Sequence, residues 1–143
     1  MVRAEITFVD TNVLVYAHDR SDERRQAIAM TLLEQLWADG TGRISVQVLQ
    51  EFYAVSTRKL NPPMSRADAR EIVALYAAWP LVLADPTLIL NASRIEEVHQ
   101  LSFWDGLIVE AARRAGATRL ATEDLKDGAV IEGVQVENPF RPG

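Results

Sequence analysis

Ile6-Thr7-Phe8-Val9-Asp10-Thr11-Asn12 opens as a β-prone run and stops at an acid followed by two polar, turn-forming side chains. Reading outward from it, helical and strand patterns alternate. Glu23 to Trp37 carries Ile28, Leu32, Leu33 and Leu36 on one face, with Gly40 just beyond its end. Arg43–Val46 reads as a second strand, and Gln47 to Lys59 as a helix stopped by Asn61-Pro62-Pro63. Ser65-Arg66-Ala67-Asp68 fits a capping box that opens a helix to about Ala78. Leu81–Ala84 is a third strand, and Asp85-Pro86 starts a helix running to about His99. Ser102-Phe103-Trp104-Asp105 opens another, ending at Gly116; Leu120–Thr122 and Val134–Glu137 are the fourth and fifth strands. The expectation is an α/β fold, one domain over residues 1–143, with a mostly parallel sheet of about five strands and helices on both faces. In open sheets of this kind ligands bind beyond the carboxyl ends of the strands. Asp10 stands at such an end.

Composition narrows the function classes. With 48% hydrophobic and 24% charged residues the chain is not of the disordered type. Its apolar runs, such as Trp79–Ala84, fall far short of the ~20 residues that span a bilayer, so no membrane partner is expected. Charges at Arg3, Glu5 and Asp10 interrupt any secretory-type leader, and a cytoplasmic location is the expectation. The absence of cysteine excludes disulfides, iron–sulfur clusters and thiolate zinc sites. The net charge of −5 argues against sequence-blind binding to phosphate backbones, unless something reverses the charge locally.

Several chemistries are missing. There is no phosphate-binding Gly-x-x-x-x-Gly-Lys-Ser/Thr loop, no Gly-x-Gly-x-x-Gly after the first strand and no Gly-x-Ser-x-Gly elbow. His18 and His99, the only histidines, make no His-Glu-x-x-His pair. Oxygen chemistry remains. Asp10 either caps the following helix or faces a ligand. Glu51 lies near the apolar stripe of its helix, where it reaches water, is paired or binds a metal. Asp105, in the first turn after Ser102, doubles as a capping-box acid. Glu123-Asp124 follows the fourth strand, as a polar turn or as part of a site. Carboxylates converging without basic partners repel one another unless a cation neutralises them, and an all-oxygen set suits Mg²⁺ or Mn²⁺.

These residues resemble a known family. Val9-Asp10-Thr11-Asn12-Val13-Leu14-Val15-Tyr16-Ala17 looks like the opening of a PIN-domain nuclease. Gln50-Glu51-Phe52-Tyr53, Phe103-Trp104-Asp105 with Ala111-Ala112, and Thr122-Glu123-Asp124-Leu125 with Asp127-Gly128 look like its three later acidic elements, in order. The single-domain length resembles the VapC-type toxins of toxin–antitoxin pairs. The resemblance implies a metal-dependent endoribonuclease that hydrolyses RNA with metal-activated water, using one or two Mg²⁺ or Mn²⁺ ions. It carries the metal-ligand and catalytic roles to Asp10, Glu51, Asp105 and Asp124, with Glu123 able to substitute for or assist Asp124. Thr11, Asn12, Ser102 and Thr122 become groups that orient the carboxylates or touch the phosphate. It also implies a VapB-type antitoxin partner and a homodimer.

Arg20, Arg24, Arg25, Arg58, Lys59, Arg66 and Arg70 flank the acidic elements and offer a basic rim for RNA. Val13, Tyr16, Leu33, Leu36, Trp37, Phe52 and Tyr53 are candidates for an antitoxin groove, with core packing as their alternative fate. Two rival functions share the acids. One is another metal-dependent phosphoesterase of the same family type, acting in RNA processing or on DNA ends. The other is a non-enzymatic Mg²⁺-binding, receiver-like module with Lys126 as its late lysine.

Overall fold

The first strand, β1 (Thr7–Val9), is buried at all three positions. Successive strand residues face opposite sides, so both faces of the sheet are covered by other elements. The computed structural model describes residues 5–142 and places β1 at the centre; the ends of the 1–143 span lie outside the described residues. Next come α1 (Thr11–Tyr16), α2 (Glu23–Asp39), β2 (Gly42–Ser45), α3 (Val46–Arg58), α4 (Arg66–Tyr76) and β3 (Leu81–Val82). Then follow α5 (Pro86–His99), α6 (Phe103–Arg114), β4 (Arg119–Ala121), β5 (Val130–Ile131) and β6 (Val134–Glu137). The strand order is β3-β2-β1-β4-β6-β5, parallel except for the β5–β6 pair.

The α/β fold with a mostly parallel sheet is as expected, and its six strands are close to the five or so read from the sequence. The added strand, β5, pairs Val130 with Gln135 and Ile131 with Val134 across the two-residue turn Glu132-Gly133. Both turn residues have positive φ, 51° and 80°, the left-handed geometry of a tight hairpin. Two strand residues are too few to show a period, and Glu-Gly lacks the Asn or Asp that usually marks this turn. The strand ending at Ser45 rather than Val46, and the strand ending at Ala121 rather than Thr122, are boundary shifts of one residue.

The caps explain the helix starts. Ser45, Ser65, Asp85 and Ser102 each accept a hydrogen bond from the backbone N–H three residues on. Phe8, Leu14, Ile44, Phe52, Val109 and Leu120 form the solvent-free centre of the core. Helix α6 is buried continuously from Gly106 to Ala112. It lies so close to α5 that a Cβ on Gly106 would stand 2.6 Å from the carbonyl oxygen of Ala92. Val13, Leu33, Leu36 and Phe52 belong to this core, so four of the seven groove candidates take the packing alternative. Trp37 remains exposed, and Tyr16 and Tyr53 half-buried.

Candidate active site

The strand order reverses direction between β1 and β4. The chain works outward from β1 through β2 to β3 on one side and begins again at β4 on the other. Such a switch point opens a crevice at the carboxyl ends of the strands. Val9 and Ala121 pair across it, and the Asp10 N–H donates to the Ala121 carbonyl at 3.0 Å. Asp10 and the Thr122–Asp124 segment therefore leave adjacent strands side by side. Strand β2 passes directly into α3, which brings Glu51 to the same edge.

Hydrogen bonds join these segments. Asp10 is the N-cap of α1 and accepts from the Thr11 N–H at 2.7 Å. Thr122 Oγ1 donates to Asp10 Oδ2 at 2.8 Å and accepts from the Asp124 N–H at 3.1 Å. Asn12 Nδ2 donates to Asp124 Oδ2 and to Thr122 Oγ1, both at 3.1 Å. Its Oδ1 accepts from the Glu123 N–H at 3.3 Å. Thr11 Oγ1 donates to Glu51 Oε2 at 2.9 Å. Asp10 thus takes its capping role, and its other oxygen joins it to the segment that follows β4.

Electrostatics sets these acids apart. Asp10 is only 5% exposed, and burial pushes its carboxyl up to about 7. Bonds from Thr122 and Thr11 pull against this, while the charges of Asp124 and Glu51 add to it. Asp124 is also raised, by partial burial and by the charges of Asp105, Glu123 and Glu51, with the Asn12 bond opposing. That effect brings Asp105 into the same electrostatic cluster. Among the described residues, no basic side chain pairs with Asp10, Glu51, Asp105 or Asp124. Nor do any three acidic or histidine side chains stand in a ready-made metal-holding arrangement. The Thr11 and Thr122 hydroxyls and the Asn12 amide stand between the carboxylates instead. The donor set itself, four oxygen acids with no basic partner and one of them buried, fits a hard divalent cation.

The remaining candidates divide. Ser102 caps α6 by accepting from the Asp105 N–H at 3.0 Å, its capping role. Glu123 is turned away from the cluster: it accepts from Tyr16 Oη at 2.9 Å and from Arg25 Nε at 3.3 Å. Within the basic rim, Arg25 is thereby engaged, and Arg24 donates to the Phe140 carbonyl. Arg20, Arg58, Lys59, Arg66 and Arg70 are exposed. His18 packs edge-on to Phe52 with its Nε2 unpartnered, and burial lowers its pKa. Gln47, not singled out in the sequence, donates to Glu51 Oε1 at 2.8 Å. Its position one helical turn before Glu51 is the signal that could have found it. No sequence signal links Tyr16 to Glu123, which lies 107 residues away.

The chain belongs to the PIN domain family, whose model matches residues 7–126. That membership displaces the receiver-like reading. The fold is shared with VapC20 of Mycobacterium tuberculosis, described as a sarcin-ricin loop cleaving toxin. The two are 22% identical, with 82% of this chain and 91% of that one covered and a TM-score of 0.63. It is also shared with VapBC2 of Rickettsia felis bound to a promoter DNA fragment, at 20% identity, 93% and 98% coverage and a TM-score of 0.64. DNA-bound VapBC of Salmonella typhimurium matches at 15% identity, 95% and 99% coverage and a TM-score of 0.65. At such identities the likeness is one of fold. No functionally curated protein matches the sequence at a significant level.

Proposed function

We propose that this PIN-domain protein is a Mg²⁺- or Mn²⁺-dependent endoribonuclease acting as the toxin of a toxin–antitoxin pair. What supports this reading is that Asp10 and Asp124 leave the adjacent strands β1 and β4, Glu51 hydrogen-bonds Thr11 beside Asp10, and the charges of Glu51 and Asp105 act on Asp124, with no basic partner for any of the four among the described residues. These four side chains would hold one or two divalent ions. A bound ion of this kind supplies a water acidic enough to ionise near neutral pH and offsets charge on the phosphate. The chain's own groups do the positioning. Thr122 and the Thr11 N–H fix Asp10, Gln47 and Thr11 fix the two oxygens of Glu51, and Asn12 ties Asp124 to β1. The exposed rim from Arg20, Arg58, Lys59, Arg66 and Arg70 suits phosphate contacts along RNA. Hydrolysis would leave a 5′-phosphate and a 3′-hydroxyl.

The solved VapBC relatives are toxin–antitoxin complexes, which supports a VapB-type partner for this chain. Met30, Trp37 and Leu75 are exposed apolar side chains around a cleft of about 220 Å³ between α2 and α4, a surface suited to that partner. Ile89, Leu90 and Val98 on α5, with Trp104, offer apolar surface for a homodimer. No helix among the described residues is long and apolar enough to cross a membrane.

The test is cleavage of defined single-stranded RNA, structured RNA and DNA by the purified chain in Mg²⁺, Mn²⁺ and excess EDTA. Discrete RNA cuts that need the cation, and that vanish in a folded Asp10→Asn variant, support the reading. Cleavage that survives EDTA, or wild-type rates from Asp10→Asn, would overturn it. DNA cleavage in preference to RNA would favour the rival phosphoesterase.

A further inference from the structure

Glu123 adjoins Asp124 in sequence, yet the two carboxylates have different fates. Asp124 accepts from Asn12 on the β1 side of the crevice. Glu123 reaches into a box formed by α1, α2 and the C-terminal segment. There Tyr16 Oη donates to its Oε1 at 2.9 Å and Arg25 Nε to its Oε2 at 3.3 Å. Arg25 is held from several directions. Its Nη1 also donates to Asp22 at 3.0 Å, and its guanidinium carbon lies 5.3 Å from the Tyr16 ring centre and 5.8 Å from that of Phe140. Those rings meet edge to face at 5.0 Å, and Phe140 is 2% exposed. A lone surface ion pair is weak because its long side chains wander. Two rings and two carboxylates hold this guanidinium in one place.

Among the described residues, Glu123 is the one acid of the five near the crevice that has a basic partner. The charge is therefore placed on the acid facing away, and the other four are left without one. An unpaired Glu123, one residue from Asp124, would add a fifth carboxylate to a cluster already crowded with like charge. A fifth carboxylate there would add negative charge and draw the cation more strongly, at the expense of the waters it keeps.

We propose that Arg25, with Tyr16, is a positioning residue that fixes the number of acids at the cation site by keeping Glu123 out of it. This rests on the reading that Asp10, Glu51, Asp105 and Asp124 hold a divalent cation.

The experiment is Mn²⁺ titration of the 143-residue chain, followed by the paramagnetic resonance signal of free Mn²⁺, with thermal unfolding as the check on folding. Arg25→Ala frees Glu123 and is expected to bind Mn²⁺ about fivefold tighter. Arg25→Ala/Glu123→Gln removes both partners of the pair and is expected to return to within about twofold of wild type. Asp124→Asn is expected to bind at least about tenfold more weakly. Should Arg25→Ala fail to fold, Arg25→Met keeps the apolar contact with the two rings and is read in the same way. The proposal is overturned if the single variant binds no tighter than wild type, or if the gain persists in the double variant. It is also overturned if the double variant loses binding as Asp124→Asn does, which would make Glu123 a ligand. A wild-type chain that binds no Mn²⁺ overturns both the proposal and the reading beneath it.

Discussion

The Thr122 hydroxyl donates to Asp10 Oδ2 at 2.8 Å, joining the ends of two adjacent parallel strands whose residues lie 112 positions apart in the chain. The same oxygen accepts from the Asp124 N–H and the Asn12 amide, so its hydrogen-bonding capacity is fully used. Thr122→Val keeps the shape and removes all three bonds. It is expected to destabilise the fold by about 2 kcal/mol, because buried polar partners lose their mate. RNA cleavage is expected to fall by about 10- to 100-fold as Asp10 loses its orientation. Urea unfolding and initial cleavage rates check the two effects, and Thr122→Ser is expected to recover most of both.

Asp10 is buried among like charges, so its ionised form is held at a cost to the fold. Added Mn²⁺ is expected to raise the thermal midpoint of the wild-type chain near neutral pH, by an amount that grows with the logarithm of its concentration. Asp10→Asn is expected to unfold at a higher temperature than wild type in EDTA, since removing the charge relieves the strain. The same variant is expected to gain little from Mn²⁺. Scanning calorimetry with and without the cation measures both. A wild-type midpoint indifferent to Mn²⁺ would count against the site.

Glu110 gives the fold a separate dependence on pH. Its side chain is 1% exposed. Burial pulls its pKa upward, but bonds from Arg113 and Asn91, with the charge of Arg114, hold it below its ordinary value of 4.5. Because the folded value is the lower one, the stabilisation is present above pH 4.5 and is lost as pH falls through the folded value. Glu110→Gln is expected to flatten stability across that acidic window and to cost about 2 kcal/mol at pH 7. Urea midpoints between pH 3 and pH 7 (about the range of acid unfolding) measure it.

Gly106→Ala sets two opposing effects against each other. Alanine favours a helix interior over glycine by about 1 kcal/mol. Its Cβ, however, would meet the Ala92 carbonyl oxygen at 2.6 Å, a backbone atom that moves only if α5 moves. Overpacking of this kind costs about 1–3 kcal/mol, so net destabilisation is expected. Asp105 precedes Gly106, so cleavage is expected to fall by more than stability alone accounts for. Rates measured well below the unfolding temperature separate the two effects.

Much of this architecture is legible in the order of residues alone. Alternating strand and helix patterns define the α/β class, and cap residues such as Ser65, Asp85 and Ser102 mark helix starts, because capping is a local interaction. Asp10 and Asp124 are legible as crevice acids once their strands are recognised. The β5 strand is not, since its two residues carry no period. Val13, Leu33, Leu36 and Phe52 take the core packing expected for most of the seven groove candidates, and the sequence could not say which, because apolarity tells which residues avoid water, not whether a core or a partner supplies the cover. The fate of Glu123 depends on Arg25 and Tyr16, partners about a hundred residues away that no local spacing connects to it.

The order of strands also sets a clock. The acids of the crevice come from segments after β1, within α3, at the start of α6 and after β4, and the middle of the sheet closes only when β4 seats beside β1. During synthesis the cluster therefore has no complete form until Asp124 has left the ribosome and β4 has paired. A chain that ends before that point lacks Asp124 and the β4 side of the crevice. A PIN domain built this way completes its acidic cluster only with the last third of its sequence.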